Sequence, residues 1–261
     1  IFKYLDYCTQ KKIKIILISN GLNIDEAKIK KMSNYNIVAI FFSIDSHIPE
    51  VHDTLRRTQG LWNKVTSNIN LIKQYMPEVK IVLNHVLNKK NIDDFEKFIM
   101  MKKTFDFDYI NPIVIKDYDA LFFTEDQIEN YNNKLDYYNN LANSLGLEFL
   151  SDNIDFFNNK VSSLGDRYNN VDLKCLYPSF CSFVDAPTGF VYPCDCSIHR
   201  DRKIYKIGDL KVQTFKEIWN GEKRKNLRKK LINSELDCKT KCDEANCQFN
   251  RCLLKEKEKE L

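Results

Sequence analysis

Over the first 150 residues, short runs of β-branched and aliphatic side chains alternate with longer stretches of helical period. Ile13, Ile15, Ile16, Leu17 and Ile18 read as a strand, closed by the turn signal Ser19-Asn20-Gly21 and followed by a helix-like stretch over 24–33. Val38 to Phe42 form the next strand, and Trp62, Val65, Ile69 and Ile72 then recur at helical spacing. A third strand runs through Val79, Ile81, Val82 and Leu83. Ile92, Phe95, Phe98 and Ile99 predict a helix, Tyr109 to Ile115 a fourth strand, and 124–144 a longer helix. Strands that are apolar throughout, each joined to the next by a helix, are what a parallel sheet with covered faces requires. The expected class is α/β, wound as βαβ units.

Residues 151–173 carry Ser, Asp and Asn with little periodicity and read as a connection. A second unit follows over 174–254, with a basic, helix-like stretch at 214–232, and a charged tail occupies 255–261. The parallel unit poses a physical difficulty. With only four strands, and the most apolar at the beginning, the first strand is left with an open edge and an uncovered apolar face. Another chain or upstream strands must cover it; the start at Ile1 rather than Met favours upstream strands, absent from this sequence.

Composition narrows the classes. Apolar residues make up 43% and charged residues 29%, with few Gly or Pro, which excludes collagen-like and disordered chains. No apolar run approaches the roughly 20 residues that cross a bilayer. The net charge of +4 is small against 40 basic and 36 acidic residues and points away from nucleic acid as a partner.

Cysteine changes the picture most. Eight of the nine fall in the last third, as Cys175-x5-Cys181-x12-Cys194-x-Cys196 and, later, Cys238-x3-Cys242-x4-Cys247-x4-Cys252. A disulfide scaffold is normally a short secreted chain with cysteines throughout, so a cytoplasmic metal-binding protein is expected instead. Thiolates are soft ligands for iron–sulfur clusters or zinc, and four close one site, so eight could close two. Only Cys238 and Cys242 have the spacing of a compact zinc pair, which favours iron–sulfur. Cys8 stands apart and reads as a small buried hydrophobe.

The cysteine string, with Gly189 between Cys175 and Cys194 and with Ile207-Gly208-Asp209-Leu210 and Phe215-Lys216-Glu217-Ile218-Trp219 bridging its two halves, resembles the SPASM or shortened "twitch" auxiliary iron–sulfur domain of radical S-adenosylmethionine (SAM) enzymes. The first half is similar to the same family. Ser19-Asn20-Gly21 resembles its "TNG" turn, Ser43-Ile44-Asp45 its "SIDG" strand end, and His52-Asp53-Thr54-Leu55-Arg56 with Gly60 and Lys64 its "HDxxR…GxF" segment. Two family features are missing: the CxxxCxxC loop that holds the SAM-reducing cluster, and the "GGEP" strand end. Ser46 also stands where the family often has Gly.

The resemblance implies a partial radical SAM (β/α)6 barrel over 1–150, lacking its first strands, followed by the small cysteine-rich domain. It implies one or two auxiliary [4Fe-4S] clusters held by Cys175, Cys181, Cys194, Cys196, Cys238, Cys242, Cys247 and Cys252, and SAM contacts from Asn20, Ser43, Asp45 and Arg56. It further implies hydrogen abstraction from a peptide, protein or small-molecule substrate by a 5′-deoxyadenosyl radical, with a flavodoxin or ferredoxin as electron donor. Without the missing loop, this chain alone is expected to be inactive. Read without the resemblance, Asp45 is a cap, Arg56 a surface ion pair and Asn20 a turn residue. His47, His52, His85 and His199 read as hydrogen-bonded or solvated rings, and the basic run from Lys223 to Lys230 as a solvated helix face. Two rival readings stay open: a non-catalytic iron–sulfur protein for electron transfer or docking, and a zinc-binding interaction module.

Overall fold

A computed structural model describes residues 1–115, 121–150, 177–194, 197 and 202–233. The chain divides into two units, Ile1–Asn159 and Lys160–Leu261. The expected connection over 151–173 and the tail at 255–261 lie outside the described residues.

In chain order the first unit runs α1 (Phe2–Gln10), β1 (Ile15–Ser19), α2 (Glu26–Met32), β2 (Ile37–Ser43), α3 (Pro49–Arg56), α4 (Leu61–Tyr75), β3 (Lys80–Leu87), α5 (Phe95–Met100), β4 (Tyr109–Val114), α6 (Glu125–Asn133), α7 (Leu135–Ser144) and β5 (Glu148–Phe149). Its five strands form one parallel sheet in sequential order. Each crossover contains helix, because parallel neighbours must be joined through a return connection.

The four expected strands are all present; besides α3, whose segment carried no predicted helix, two elements are additional. One is β5, two residues long. The other is α1, whose inward stripe is only Phe2, Leu5 and Cys8, while Tyr4 and Tyr7 are exposed and obscure the period. Cys8 is half-buried and packs against the core. The single helix expected over 124–144 is two, interrupted at Lys134.

Alternation along the strands separates two faces. Ile40, Phe42 and Ile44 of the β2 segment and Ile81, Leu83, His85 and Leu87 of β3 are buried in one core with Val65, Ile69 and Ile72 of α4 and Phe95, Phe98 and Ile99 of α5. The opposite face carries Ile16, Ile18, Phe41, Ser43, Asn84, Tyr109 and Asn111. Among the described residues β1 is an edge, paired only with β2, and its Ile16 and Ile18 are 57% and 71% exposed. That is the open, uncovered apolar strand the hydrophobic pattern required.

The second unit runs β6 (Phe183–Asp185), β7 (Phe190–Tyr192), α8 (Arg202–Tyr205), β8 (Gly208–Asp209), α9 (Phe215–Asn220) and α10 (Glu222–Ile232). The strands make a small antiparallel sheet over a core of Val191, Tyr192, Tyr205, Ile207, Ile218, Leu227 and Leu231. Thr214 opens α9 with a capping box: its hydroxyl accepts from the Glu217 N–H, and the Glu217 carboxylate accepts from the Thr214 N–H at 2.7 Å. The basic stretch is therefore two helices, broken at Gly221, where a Cβ would lie 2.8 Å from the Glu217 carbonyl oxygen.

Candidate functional site

Parallel registration gathers polar residues at the carboxyl ends of the strands. Ser43 is opposite Asn84 and Asn84 opposite Asn111, so β2, β3 and β4 present one row on the face away from the helices. All three are half-buried, and the Asn111 side-chain amide donates to the Asn84 Oδ1 at 2.8 Å. One step toward the amino ends the same face carries Phe41 and Val82, an apolar floor beneath hydroxyl and amide groups. On β1 the corresponding position is Asn20, exposed, with its Oδ1 accepting from the Leu22 N–H. Its neighbour Gly21 has φ +78°, and a Cβ there would meet the Val65 side chain at 2.8 Å. Only glycine fits this turn.

Asp45, two residues beyond Ser43, is an anchor. Its carboxylate accepts from Arg56 Nη2 at 2.9 Å and from the Val86 main-chain N–H at 3.1 Å, and its second oxygen forms an ion pair with Arg56, 2.5 Å from Nε. Its own N–H donates to His52 Nδ1 at 3.1 Å, and its carbonyl accepts from the Asn91 amide at 2.7 Å. The carboxylate is buried, and a fork-shaped guanidinium is the partner that offsets its lost hydration. His52 and Arg56 meet Asp45 together because they lie four residues apart on α3 and so share a helix face.

Between them in sequence, Asp53 faces elsewhere. Its carboxylate accepts from the Gly60 and Trp62 N–H groups and closes the start of α4. The segment His52–Arg56 thus braces the carboxyl end of β2 to α4 and β3. Of the four expected SAM contacts, Asp45 and Arg56 hold one another, Asn20 makes a turn with its amide exposed, and the Ser43 hydroxyl has no hydrogen-bond partner among the described residues.

Burial disfavours the charged form of all three histidines of this unit. The Asp45 N–H needs a bare Nδ1 on His52, and burial pushes the pKa of that ring down. His85 is fully buried between β3 and α5, stacked on Phe98 at 3.9 Å, with Nδ1 directed at the Ile44 carbonyl at 3.1 Å; burial brings its pKa down to about 4. Burial likewise lowers His47. The hydrogen-bonded reading of these rings accordingly holds for His52 and His85. His199 lies outside the described residues.

Of the eight expected cluster ligands, Cys181 and Cys194 are described, both half-buried. Cys175, Cys196, Cys238, Cys242, Cys247 and Cys252 lie outside the described residues. Ser197 braces the Cys194 segment: its hydroxyl donates to the Cys194 carbonyl at 2.5 Å and accepts from the Cys194 N–H at 3.3 Å. No group of three or more potential metal ligands occurs among the described residues. The unit nevertheless fits an anionic, thiolate-bound group. It buries the guanidinium of Arg224, 6% exposed, with no carboxylate partner among the described residues. The strand-end row likewise fits a ligand that carries hydroxyls and an apolar ring, such as SAM.

Sequence reasoning missed Asn84, Asn91 and Asn111. Asn84 and Asn111 are polar residues inside apolar runs, and only strand registration reveals the row they build with Ser43; Asn91 sits in a polar loop and meets the Asp45 carbonyl, 46 residues away in the chain, through packing.

Comparison with known proteins agrees with both units. A radical SAM superfamily model matches residues 1–101, and SPASM, an iron–sulfur cluster-binding domain, matches residues 175–248. A cysteine-type anaerobic sulfatase-maturating enzyme of Clostridium novyi (strain NT) is 30% identical over 231 residues, covering 85% of this chain and 59% of that protein. The chain spans about three fifths of that relative's length. Among solved structures, native anSMEcpe with bound AdoMet shares the fold with a TM-score of 0.61 at 22% identity, over 88% of this chain and 65% of that one. SuiB of Streptococcus suis bound to its precursor peptide SuiA does so at 0.56 and 12% identity, over 87% and 52%. Iron–sulfur clusters and SAM are the cofactors of this group. A radical SAM match on the parallel unit and a SPASM match on the cysteine-rich one place the chain in a single group: it belongs to the radical SAM enzyme family, among the members that carry a SPASM domain.

Proposed function

We propose that this chain forms the substrate-facing arc and the auxiliary-cluster domain of an enzyme that modifies a peptide or protein by radical hydrogen abstraction. The observation that carries the reading is the Ser43, Asn84 and Asn111 row across the carboxyl ends of parallel strands, the end at which α/β barrels place their sites. When bound, SAM and its reducing cluster supply a 5′-deoxyadenosyl radical that takes one hydrogen atom from the substrate. The 261 residues contain no CxxxCxxC loop, so the reading requires that loop from outside this sequence.

The chain's own part is positioning. Ser43 and Asn20 offer a hydroxyl and an amide to the ribose or amino-acid head of SAM. Asp45 and Arg56 act on the same site indirectly, by fixing the β2 end that carries Ser43. Phe41 and Val82 keep the floor dry, so that a radical placed there meets one C–H bond rather than solvent. The eight C-terminal cysteines hold one or two auxiliary [4Fe-4S] clusters. A peptide substrate is favoured because the relative matures sulfatases and the SuiB structure holds a precursor peptide. The cytoplasm, where thiols are kept reduced, is the proposed compartment, and a flavodoxin or ferredoxin the proposed donor; no described helix is long and apolar enough to cross a membrane.

The test uses the product of the complete open reading frame, purified anaerobically and reconstituted with iron and sulfide. Given SAM, dithionite and a cysteine-containing sulfatase peptide, it should release 5′-deoxyadenosine and convert the cysteine CH2–SH to an aldehyde, two hydrogens being lost on oxidation to the thioaldehyde and hydrogen sulfide released when water hydrolyses it. Ser43→Ala should raise the KM for SAM several-fold and leave the thermal midpoint unchanged. Full iron loading with no 5′-deoxyadenosine would indicate an electron-transfer protein, and zinc without acid-labile sulfide an interaction module.

A further inference from the structure

The cysteine-rich unit buries a cation that its visible contacts only partly compensate. Arg224, in the first turn of α10, is 6% exposed. One arm, Nη1, donates to the Trp219 carbonyl at 3.0 Å; the other, Nη2, donates to the Pro178 carbonyl at 2.8 Å and the Ser179 carbonyl at 3.3 Å. The guanidinium lies over the Trp219 ring at 3.4 Å. Its Nε has no partner among the described residues.

Among the described residues, every contact it makes is to a neutral group. Burial, followed by the like charge of Arg228, pulls the pKa of Arg224 below its ordinary value. A guanidinium taken out of water without a counter-charge costs several kcal/mol, and three carbonyls and a π face offset only part of that. Simple packing of α10 does not call for such a group, since Leu227 and Leu231 on the same face already bury apolar side chains.

The location indicates what the charge is for. Pro178 and Ser179 belong to the turn at Tyr177–Ser179, and Cys181 follows two residues after Ser179. We infer that Arg224 is a positioning residue for the auxiliary cluster: its fork clamps the turn that delivers Cys181, and its charge balances the anionic thiolate-bound cluster. Lys could supply the charge but not the two-directional fork, and Gln could supply hydrogen bonds but not the charge. This rests on the reading of Cys181 as a ligand.

The experiment compares Arg224→Lys, Arg224→Gln and Leu227→Ala in the complete, reconstituted protein, by iron and sulfide per chain and by the midpoint potential and EPR signal of the auxiliary cluster. A nearby cation stabilises the more negative, reduced cluster. Arg224→Gln should therefore lower the midpoint potential and at least halve the iron. Arg224→Lys should lose iron and hold the potential near that of the parent. Leu227→Ala loosens the same helix face without touching the turn; it should lower the thermal midpoint while the clusters that remain keep the parental potential and signal. If Arg224→Gln and Leu227→Ala lose iron equally and neither moves the potential, Arg224 is ordinary packing and the inference fails. If Arg224→Gln does not fold, Arg224→Lys decides: parental iron content overturns the clamp. Cys181→Ala separates the two levels, because full iron in that variant sinks the ligand reading itself, whereas lost iron with silent Arg224 variants sinks only the inference.

Discussion

The two units hold themselves together by different means. The parallel unit has one continuous core that runs from Leu5 to Leu147, filled by side chains such as Ile29, Phe42, Ile69, Phe95 and Phe107, all fully buried. Among its described residues, the cysteine-rich unit has only Val191, Tyr192, Tyr205, Ile207, Ile218, Leu227 and Leu231, around a three-stranded sheet of very short strands. A core of that size contributes little against the conformational entropy of folding, so small units need cross-links or a metal. The comparison teaches that burial organises the first unit, whereas the described core of the second is small enough that ligation is the expected organiser there. Polar groups obey the same division. In the first unit they form a network around Asp45, and in the second the buried Arg224 has no anionic partner among the described residues.

The strongest way to break this comparison is to remove the iron. Chelation under anaerobic conditions should abolish the cooperative unfolding of the second unit and open it to proteolysis, while the first keeps its transition. Survival of both transitions would mean that the small core suffices. Next in size, Phe95→Ala should cost about 3–5 kcal/mol in the first unit's urea midpoint, because Phe95 is fully buried against His85, Tyr131 and Tyr138. Its iron content should stay unchanged if the units are independent.

A pH series sharpens the contrast further. His85 has a folded pKa of about 4, against about 6.5 when unfolded. Between those values the unfolded chain binds more protons, so this stability is complete above pH 6.5 and is lost as pH falls toward 4. At pH 5 the loss from His85 comes to about 2 kcal/mol, with His52 adding in the same direction. His85→Phe, which keeps a ring against Phe98, should flatten that pH dependence when the urea midpoint is followed from pH 7 to 5. An unchanged slope would reassign the acid sensitivity. The smallest expected effect belongs to Thr214→Ala, which removes the hydroxyl at the start of α9 and should cost about 1 kcal/mol in the second unit. If the cluster dominates that unit, the loss should show in the apo form and shrink in the loaded one.

Much of this was legible in the chain. Apolar runs such as Ile37–Ser43 and Lys80–Leu87 declare parallel strands, because both faces of such a strand are covered. The exposure of Ile16 and Ile18 was foreshadowed by the apolar first strand, and the cysteine string announced a thiolate-bound cofactor. Breaks at Lys134 and Gly221 were less visible, since the apolar period continues across each while one residue leaves helical geometry.

What the sequence alone determined, then, is the class of the parallel unit and the presence of a soft-metal domain. Both follow from local patterns: strand and helix periods in the first case, donor chemistry and spacing in the second. Only the tertiary structure decided which polar residues meet. Ser43, Asn84 and Asn111 are 41 and 27 residues apart in the chain and share a row because adjacent parallel strands register there. Asp45 carries the acidic chemistry of a ligand contact, yet the placement of α3 gives its carboxylate to Arg56, as packing gives Arg224 to the turn before Cys181. Residue type sets what a side chain can bind, and long-range packing selects the partner, because burial forces each polar group to accept the partner the fold brings within reach.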